Sequence, residues 1–366
     1  MSKENLGLNT TVGIACLGIT HPHTSGRVRA VQRLAEMGQK VRMLGAADES
    51  PLLKPFCEAL GLQPRSKREI LDDPDVHVVY VHSKSYEMAD LSIEALEAGK
   101  AVLCEKPAGR NAADVRRIAD AVERTGGKLQ VGYCWRYSPA VDKMQEVIQS
   151  GRLGKIMQVR AHGGCSHDEA DTNHMKQPGD IGGAMFVISC HLFDRVIHHF
   201  GMPRSVNARI TKFPGVMGPT SREDAAGAVL NYEDKIVVVD FFSWDPLPWL
   251  ETWDITAYGT DGVMSSRPSP SSYKIWDNGK HGHPEGWTEW SENSFPINWA
   301  SKKTIYSPEL AEIGNPVFFD RELASFMNSI RTGAPISVPA THALKISTLI
   351  EALFTSSQQA GTEVTL

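Results

Sequence analysis

Residues 73–107 read DPDVHVVYVHSKSYEMADLSIEALEAGKAVLCEKP and hold a complete strand–helix–strand unit. Val76–Val81 is a short, almost unbroken apolar run, the pattern of a parallel strand buried on both faces. Ala89, Ile93 and Leu96 then follow helical spacing, and Gly99 fits the stop. Ala101–Cys104 is the next strand. A strand returning to a parallel neighbour through a helix is the βαβ unit.

The same grammar extends outward. Residues 12–17 (VGIACL) read as a first strand, Val41–Ala47 as a second and Leu129–Gly132 as a fifth. Thr24 or Ser25 is placed to cap a helix whose inner face is Val28, Val31 and Ala35. Asn111 and Asp114 have the spacing of a capping box before a helix with Val115, Ile118, Ala119 and Val122 on one side. Alternating strands and helices predict a doubly covered parallel sheet over residues 1–133.

Beyond residue 133 the pattern changes. Pro139 suits the first turn of a helix bearing Val141, Met144, Val147 and Ile148. Alternating runs at 155–162, 205–213, 224–232, 235–243 and 252–258 predict a largely antiparallel sheet with one wet face. Gly259–Gly262 reads as a turn. Residues 265–316 are rich in Ser, Pro, Gly, Asn and Trp without a period, and read as a long loop region. Two apolar faces, Phe319–Ile330 and Ile346–Phe354, close the chain as helices. The expectation is an α/β protein whose second domain spans 134–366, with its last helices able to pack back on the first.

The chain has 366 residues, net charge −5, 41% hydrophobic and 22% charged residues, which suits a two-domain globular protein. No Lys/Arg run offers a nucleic-acid footprint, and no apolar stretch reaches the roughly 18–20 residues of a membrane helix. MSKENLGLNT lacks the apolar core of a secretory signal, so a cytoplasmic protein is expected. None of the six cysteines forms a CxxC pair, which favours reduced thiols.

A dinucleotide site needs glycine in the turn after the first strand, where backbone approaches pyrophosphate at a helix N-terminus. That turn, Cys16-Leu17-Gly18-Ile19-Thr20-His21-Pro22-His23, keeps only Gly18 of a G-x-G-x-x-G pattern. Thr20, His21 and His23 are candidate cofactor contacts. Asp48 closes the second strand, where a carboxylate accepts ribose hydroxyls and repels a 2′-phosphate, favouring NAD over NADP.

Cys104-Glu105-Lys106-Pro107 sharpens the reading. Together with ALEAGK (residues 95–100), WRYSPAV (135–141), SGRLGK (150–155) and GGAMFVISCHLFD (182–194), it resembles the Gfo/Idh/MocA family of nicotinamide-dependent oxidoreductases. The resemblance runs from residue 11 to 360. It implies a Rossmann domain followed by an α/β domain on an open, mostly antiparallel sheet, with NAD as cofactor and a homodimer or homotetramer as assembly. It implies that Ser83, Glu105, Lys106 and Pro107 lie in the cofactor region, often with a cis Lys106–Pro107 peptide. Lys106 would stabilise developing alkoxide charge, and His191 would take the hydroxyl proton. Asp194, three residues on, with Trp135, Arg136 and Tyr137, would contact substrate hydroxyls.

There are departures. Val187 stands where the family places Asp; Asp180, Asp168, Glu169 and Asp171 are candidate replacements, and His167 is a further substrate contact. Cys16 replaces a glycine, Lys84-Ser85 a Pro-Asn, and Met88 a histidine. His162, His167, Asp168, His174 and His191 offer donors for zinc or manganese but no short ligand spacing, so substrate contacts are expected there ahead of a metal. Trp244, Trp249, Trp253, Trp276, Trp287, Trp290 and Trp299 serve either as packing or as platforms for sugar rings. The expected activity is hydride transfer between NAD and a ring secondary alcohol of a sugar, glycoside or cyclic polyol. The alternatives are glycoside cleavage by oxidation, elimination and re-reduction, and a non-catalytic nucleotide sensor or scaffold.

Overall fold

The computed structural model describes residues 6–165, 185–213, 223–243, 253–291 and 317–366. The chain divides into two compact units. The first holds the chain to Cys134 and recovers a C-terminal portion ending at Leu344; the second begins at Trp135 and resumes at Lys345.

The first unit is a five-stranded parallel sheet: β1 (Val12–Leu17), β2 (Val41–Ala47), β3 (Val76–Val81), β4 (Ala101–Cys104) and β5 (Leu129–Val131), in the order β2-β1-β3-β4-β5. Its helices are α1 (Thr24–Glu36), α2 (Leu53–Leu60), α3 (Lys67–Asp72), α4 (Ser85–Glu97) and α5 (Ala112–Thr125). The order reverses between β1 and β3. At such a switch point the turns after two neighbouring strands diverge and leave a crevice outside their carboxyl ends.

The core beneath α1 is completed from the far end of the sequence. Leu323, Phe326, Met327 and Ile330 of the helix Val317–Thr332 join Val28, Val31, Ile14 and Tyr80 in one buried cluster. Full burial of each such side chain contributes about 1.5–3 kcal/mol. This helix, called α8 below, therefore belongs to the first unit.

Two expected caps differ. The N-cap of α1 is His23, not Thr24 or Ser25; Thr24 Oγ1 instead donates to the His21 carbonyl at 2.6 Å, because His23 already has helical backbone angles. Asn111 does accept the Asp114 N–H at 2.9 Å. The reciprocal half of the box is missing, since the Asp114 carboxylate accepts from Arg110 N–H and Nε at 3.1 and 2.9 Å.

The second unit carries a nine-stranded sheet: β6 (Ile156–Gly164), β7 (Ser205–Thr211), β8 (Ala225–Asn231), β9 (Ile236–Phe242), β10 (Ile255–Gly259), β11 (Gly262–Pro268), β12 (Ser271–Asp277), β13 (Gly286–Ser291) and β14 (Val364–Thr365). The order is β13-β12-β11-β10-β6-β9-β8-β7-β14. All pairs are antiparallel except β6 with β9. Helices α6 (Pro139–Gln149) and α7 (Cys190–Phe200) belong to this unit, and α9 (Ala340–Gln358) supplies its length beyond Leu344. A π-helical turn, Met185–Ser189, leads into α7.

Residues 265–291 are not loop, contrary to the sequence expectation. They complete β11 and form β12 and β13. The period was hidden because serines occupy buried positions. Ser266 and Ser271 are buried, and their hydroxyls are satisfied by the Ala140 carbonyl at 2.9 Å and by Ser138 Oγ at 2.8 Å. A buried, bonded hydroxyl costs little, but it leaves no apolar mark in the sequence.

All six cysteines are buried, and none is in a disulfide. Among the described residues, no helix is long and apolar enough to cross a membrane.

Candidate functional site

Candidate functional side chains gather in two constellations, one in each unit. In the first unit they lie at the carboxyl ends of β1, β2, β3 and β4. Gly18 holds a φ of +86°, and a Cβ there would lie 2.6 Å from Ser83 Cβ. Glycine is therefore required both by conformation and by the close approach of the β1 turn to the end of β3. The Gly18 N–H donates to Ala47 O at 2.8 Å, which ties the same turn to β2.

Asp48 braces this turn. Its Oδ2 accepts the Ile19 N–H at 2.8 Å, and Oδ1 accepts the Ser50 N–H at 2.7 Å. Each carboxylate oxygen retains a second lone pair, so the group can still receive hydroxyls. Thr20 Oγ1 is buried and makes no hydrogen bond among the described residues. A buried hydroxyl left this way in the turn is the mark of a site built for a further polar group. Together with Gly18 and the N-terminus of α1, it fits a dinucleotide's phosphates and ribose. Ser83, by contrast, commits its hydroxyl to Glu87.

Glu105 is the electrostatic centre of this unit. It is fully buried. Oε1 takes Arg27 Nε at 2.5 Å and lies 3.1 Å from His23 Nδ1. Oε2 accepts the Lys106 N–H at 3.0 Å and lies 3.6 Å from His21 Nε2. Burial pushes this carboxyl upward, but Arg27, His21 and His23 outweigh it and hold the group well below the usual range. Glu105 is thus an anion whose full set of donors fixes the backbone of Lys106, itself 5% exposed. The Lys106–Pro107 peptide is cis.

Arg27 also binds Glu322 of α8 and donates to Gly132 O at 3.2 Å. A Cβ at Gly132 would lie 2.5 Å from Arg27 Nη2. Sequence reasoning missed Arg27 and Glu322, although both left a signal. Arg27 falls on the stripe of Val31 and Leu34, and Glu322 on that of Phe319, Leu323 and Phe326. A charge on an apolar stripe announces a buried pair.

Nearby His82 is fully buried on β3's end, and burial lowers its pKa to about 3. Burial also lowers His23, though Glu105 partly offsets this. Ligand atoms of His21, His23 and Glu105 lie within 4.8 Å of one another. The guanidinium on Glu105 already supplies the positive charge that an ion would bring there.

The second unit presents His191, 4% exposed, as the second residue of α7. Trp135, in the 3-10 turn Cys134–Tyr137, stacks on it with centroids 4.5 Å apart and planes 28° apart. Arg136 and Asp194 pair with each other: Nε lies 3.3 Å from Oδ2, and Nη2 contacts Oδ1. Both are buried, at 6% and 1% exposure, as is Tyr137. The pair expected to reach substrate hydroxyls thus has a partner inside the protein.

Val187 is buried in the π turn. The same turn is anchored by Glu223, which sequence reasoning overlooked: its Oε1 accepts the Met185 N–H at 2.6 Å. His162 lies 2.5 Å from Asp240 on neighbouring strands. His167, Asp168, Glu169, Asp171, His174, Asp180, Trp244, Trp249 and Trp299 lie outside the described residues. Of the remaining tryptophans, Trp253 is fully buried and Trp287 is 63% exposed.

Comparison with known proteins agrees with this architecture. The chain is 32% identical over 180 residues to a levoglucosan dehydrogenase of Pseudarthrobacter phenanthrenivorans, covering 47% of this chain and 46% of that one. It is 30% identical over 155 residues to an inositol 2-dehydrogenase of Salmonella agona, covering 40% and 43%. The chain spans about half the length of the curated relatives it matches. A solved levoglucosan dehydrogenase in complex with NADH and levoglucosan superposes with TM-score 0.80 at 19% identity, over 97% of this chain and 99% of that one. That likeness shows the fold. Residues 23–133 match the family model described as an oxidoreductase family with an NAD-binding Rossmann fold, and residues 141–265 the model of the GFO/IDH/MocA C-terminal domain. With both halves matched in order, the chain belongs to the GFO/IDH/MocA family of oxidoreductases.

Proposed function

We propose that this protein is an NAD-dependent dehydrogenase that oxidises a secondary alcohol on the ring of a sugar or cyclic polyol. One observation carries the reading: the parallel sheet's switch point holds Gly18, Thr20 and Asp48 around one turn and fixes Lys106 beside it through Glu105. NAD, when bound, supplies the hydride acceptor.

The chain's own residues do the rest. Gly18 lets backbone approach the phosphates, and the N-terminus of α1 favours their charge. Asp48 receives the adenosine ribose hydroxyls and disfavours a 2′-phosphate. The Lys106 ammonium hydrogen-bonds the alcohol oxygen and stabilises alkoxide character as the C–H bond weakens. His191 takes the hydroxyl proton on its imidazole. Arg136 and Asp194 hold α7 and the Trp135 turn together, a supporting role rather than direct contact. The relatives named for levoglucosan and inositol support a polyhydroxylated ring as substrate.

The test is a panel of free pyranoses, levoglucosan, myo-inositol and aryl glycosides incubated with NAD, following NADH absorbance. NADH appearing with at least one compound supports the proposal. Released aglycone without net NADH would instead establish oxidation, elimination and re-reduction. Neither product with any compound would contradict both.

A further inference from the structure

Trp253 has a backbone φ of +72° and no solvent exposure. A bulky side chain rarely occupies that left-handed region, and does so only where its surroundings over-determine it. Two of its neighbours restrain Trp253. Arg195, fully buried on α7, donates through Nη1 to the Trp253 carbonyl at 2.6 Å and through Nη2 to Ser266 O at 2.8 Å. Gly163 on β6 leaves room for the indole, since a Cβ there would lie 2.9 Å from its Cζ3.

The held indole has a specific use. Its ring meets Trp135 edge to face, with centroids 4.7 Å apart and planes 70° apart. Trp135 in turn covers the His191 ring at 4.5 Å. Arg195 and His191 lie four residues apart on the same helix. The path from α7 through Arg195, Trp253 and Trp135 therefore returns to α7 at His191, closing a loop of contacts.

We propose that Trp253 is a positioning residue for His191: clamped by Arg195, it wedges Trp135 against the imidazole and fixes that ring's plane. An imidazole covered on one face cannot turn freely about its side-chain bonds. Its proton-accepting nitrogen is then presented in one direction, which is what preorganisation of a base requires. This role rests on the reading of His191 as the base. The clamp itself is readable without turnover.

The test is proton NMR of the histidine rings in the intact, ligand-free protein, with His191 assigned by the signal lost in His191→Gln. In the wild type, the Trp135 face displaces the His191 ring protons upfield. Trp253→Leu is expected to remove at least half of that displacement, while Trp253→Phe, which keeps an aromatic edge, retains it. Arg195→Lys, which keeps the charge but loses the fork, is expected to move the signal in the same direction as Trp253→Leu. It carries the test if Trp253→Leu does not fold. A folded Trp253→Leu or Arg195→Lys protein with unmoved His191 signals would overturn the proposal. Loss of the dehydrogenase reading would show instead as a wild type inactive on every alcohol, with the ring displacement intact.

Discussion

Asp48 Oδ2 accepts the backbone N–H of Ile19 at 2.8 Å, so the residue proposed to select NAD over NADP also shapes the turn after β1. The two roles separate in Asp48→Asn. The amide keeps an acceptor for the Ile19 N–H, gives up the one for the Ser50 N–H, and loses the charge that repels a 2′-phosphate. NAD affinity is expected to fall by about tenfold, roughly 1.4 kcal/mol, while NADP affinity rises. Calorimetric titration with each nucleotide checks this, and an unchanged NAD preference would remove Asp48 from cofactor selection.

Gly18→Ala should damage binding and stability together. The added Cβ meets Ser83 at 2.6 Å in a backbone conformation with φ of +86°. Strain and overpacking of this kind cost about 1–3 kcal/mol each. Denaturant unfolding gives the stability loss. NAD titration of the folded fraction should show weaker binding, because relief of the clash has to move the turn.

Arg136 and Asp194 should behave as a buried pair. Removing one partner, as in Arg136→Met, leaves an uncompensated charge and costs about 3–5 kcal/mol. Replacing both, with Asp194→Leu added, should cost less than the sum of the single changes. Unfolding measurements on the two single variants and the double variant decide it. Additive losses would mean that the pair is not the reason these residues are buried.

Acid should destabilise the protein from about pH 6.5 downward, the ordinary histidine pKa. Burial lowers His82 to about 3 and also holds His199 well below its ordinary value. Between the folded and unfolded values the unfolded chain binds more protons, so stability rises with pH through that window. The contribution is fully present above about pH 6.5 and is lost as pH falls toward 3, at up to about 1.4 kcal/mol per pH unit for each such group. His82→Phe should flatten the acid limb of unfolding free energy against pH; an unchanged limb would show that His82 does not stay neutral in the fold.

Much of this was legible in residue order. The five apolar runs of the first unit have the short, two-faced burial of parallel strands, and the structure places them at nearly the same bounds. The Gly18 turn, Glu105–Lys106 and His191 stood out through local motifs. What stayed hidden depends on distant pairing. Arg27 and Glu322 are 295 residues apart, and each is only an out-of-place charge until the other is brought to it. The strands β11 and β12 were obscured by serines whose hydroxyls bond across to the start of α6. Arg136 and Asp194 were both expected to contact substrate, and only in three dimensions does their pairing with each other become visible.

The most direct test is hydride transfer itself. Levoglucosan and myo-inositol carrying deuterium on every ring carbon would be incubated with NAD and the wild-type protein, and the NADH formed would be analysed by mass spectrometry. One deuterium is expected in NADH from at least one of these polyols, with a rate at least about a hundredfold lower in His191→Gln and NAD affinity unchanged. NADH without deuterium, or no NADH from a protein that binds NAD, would contradict it.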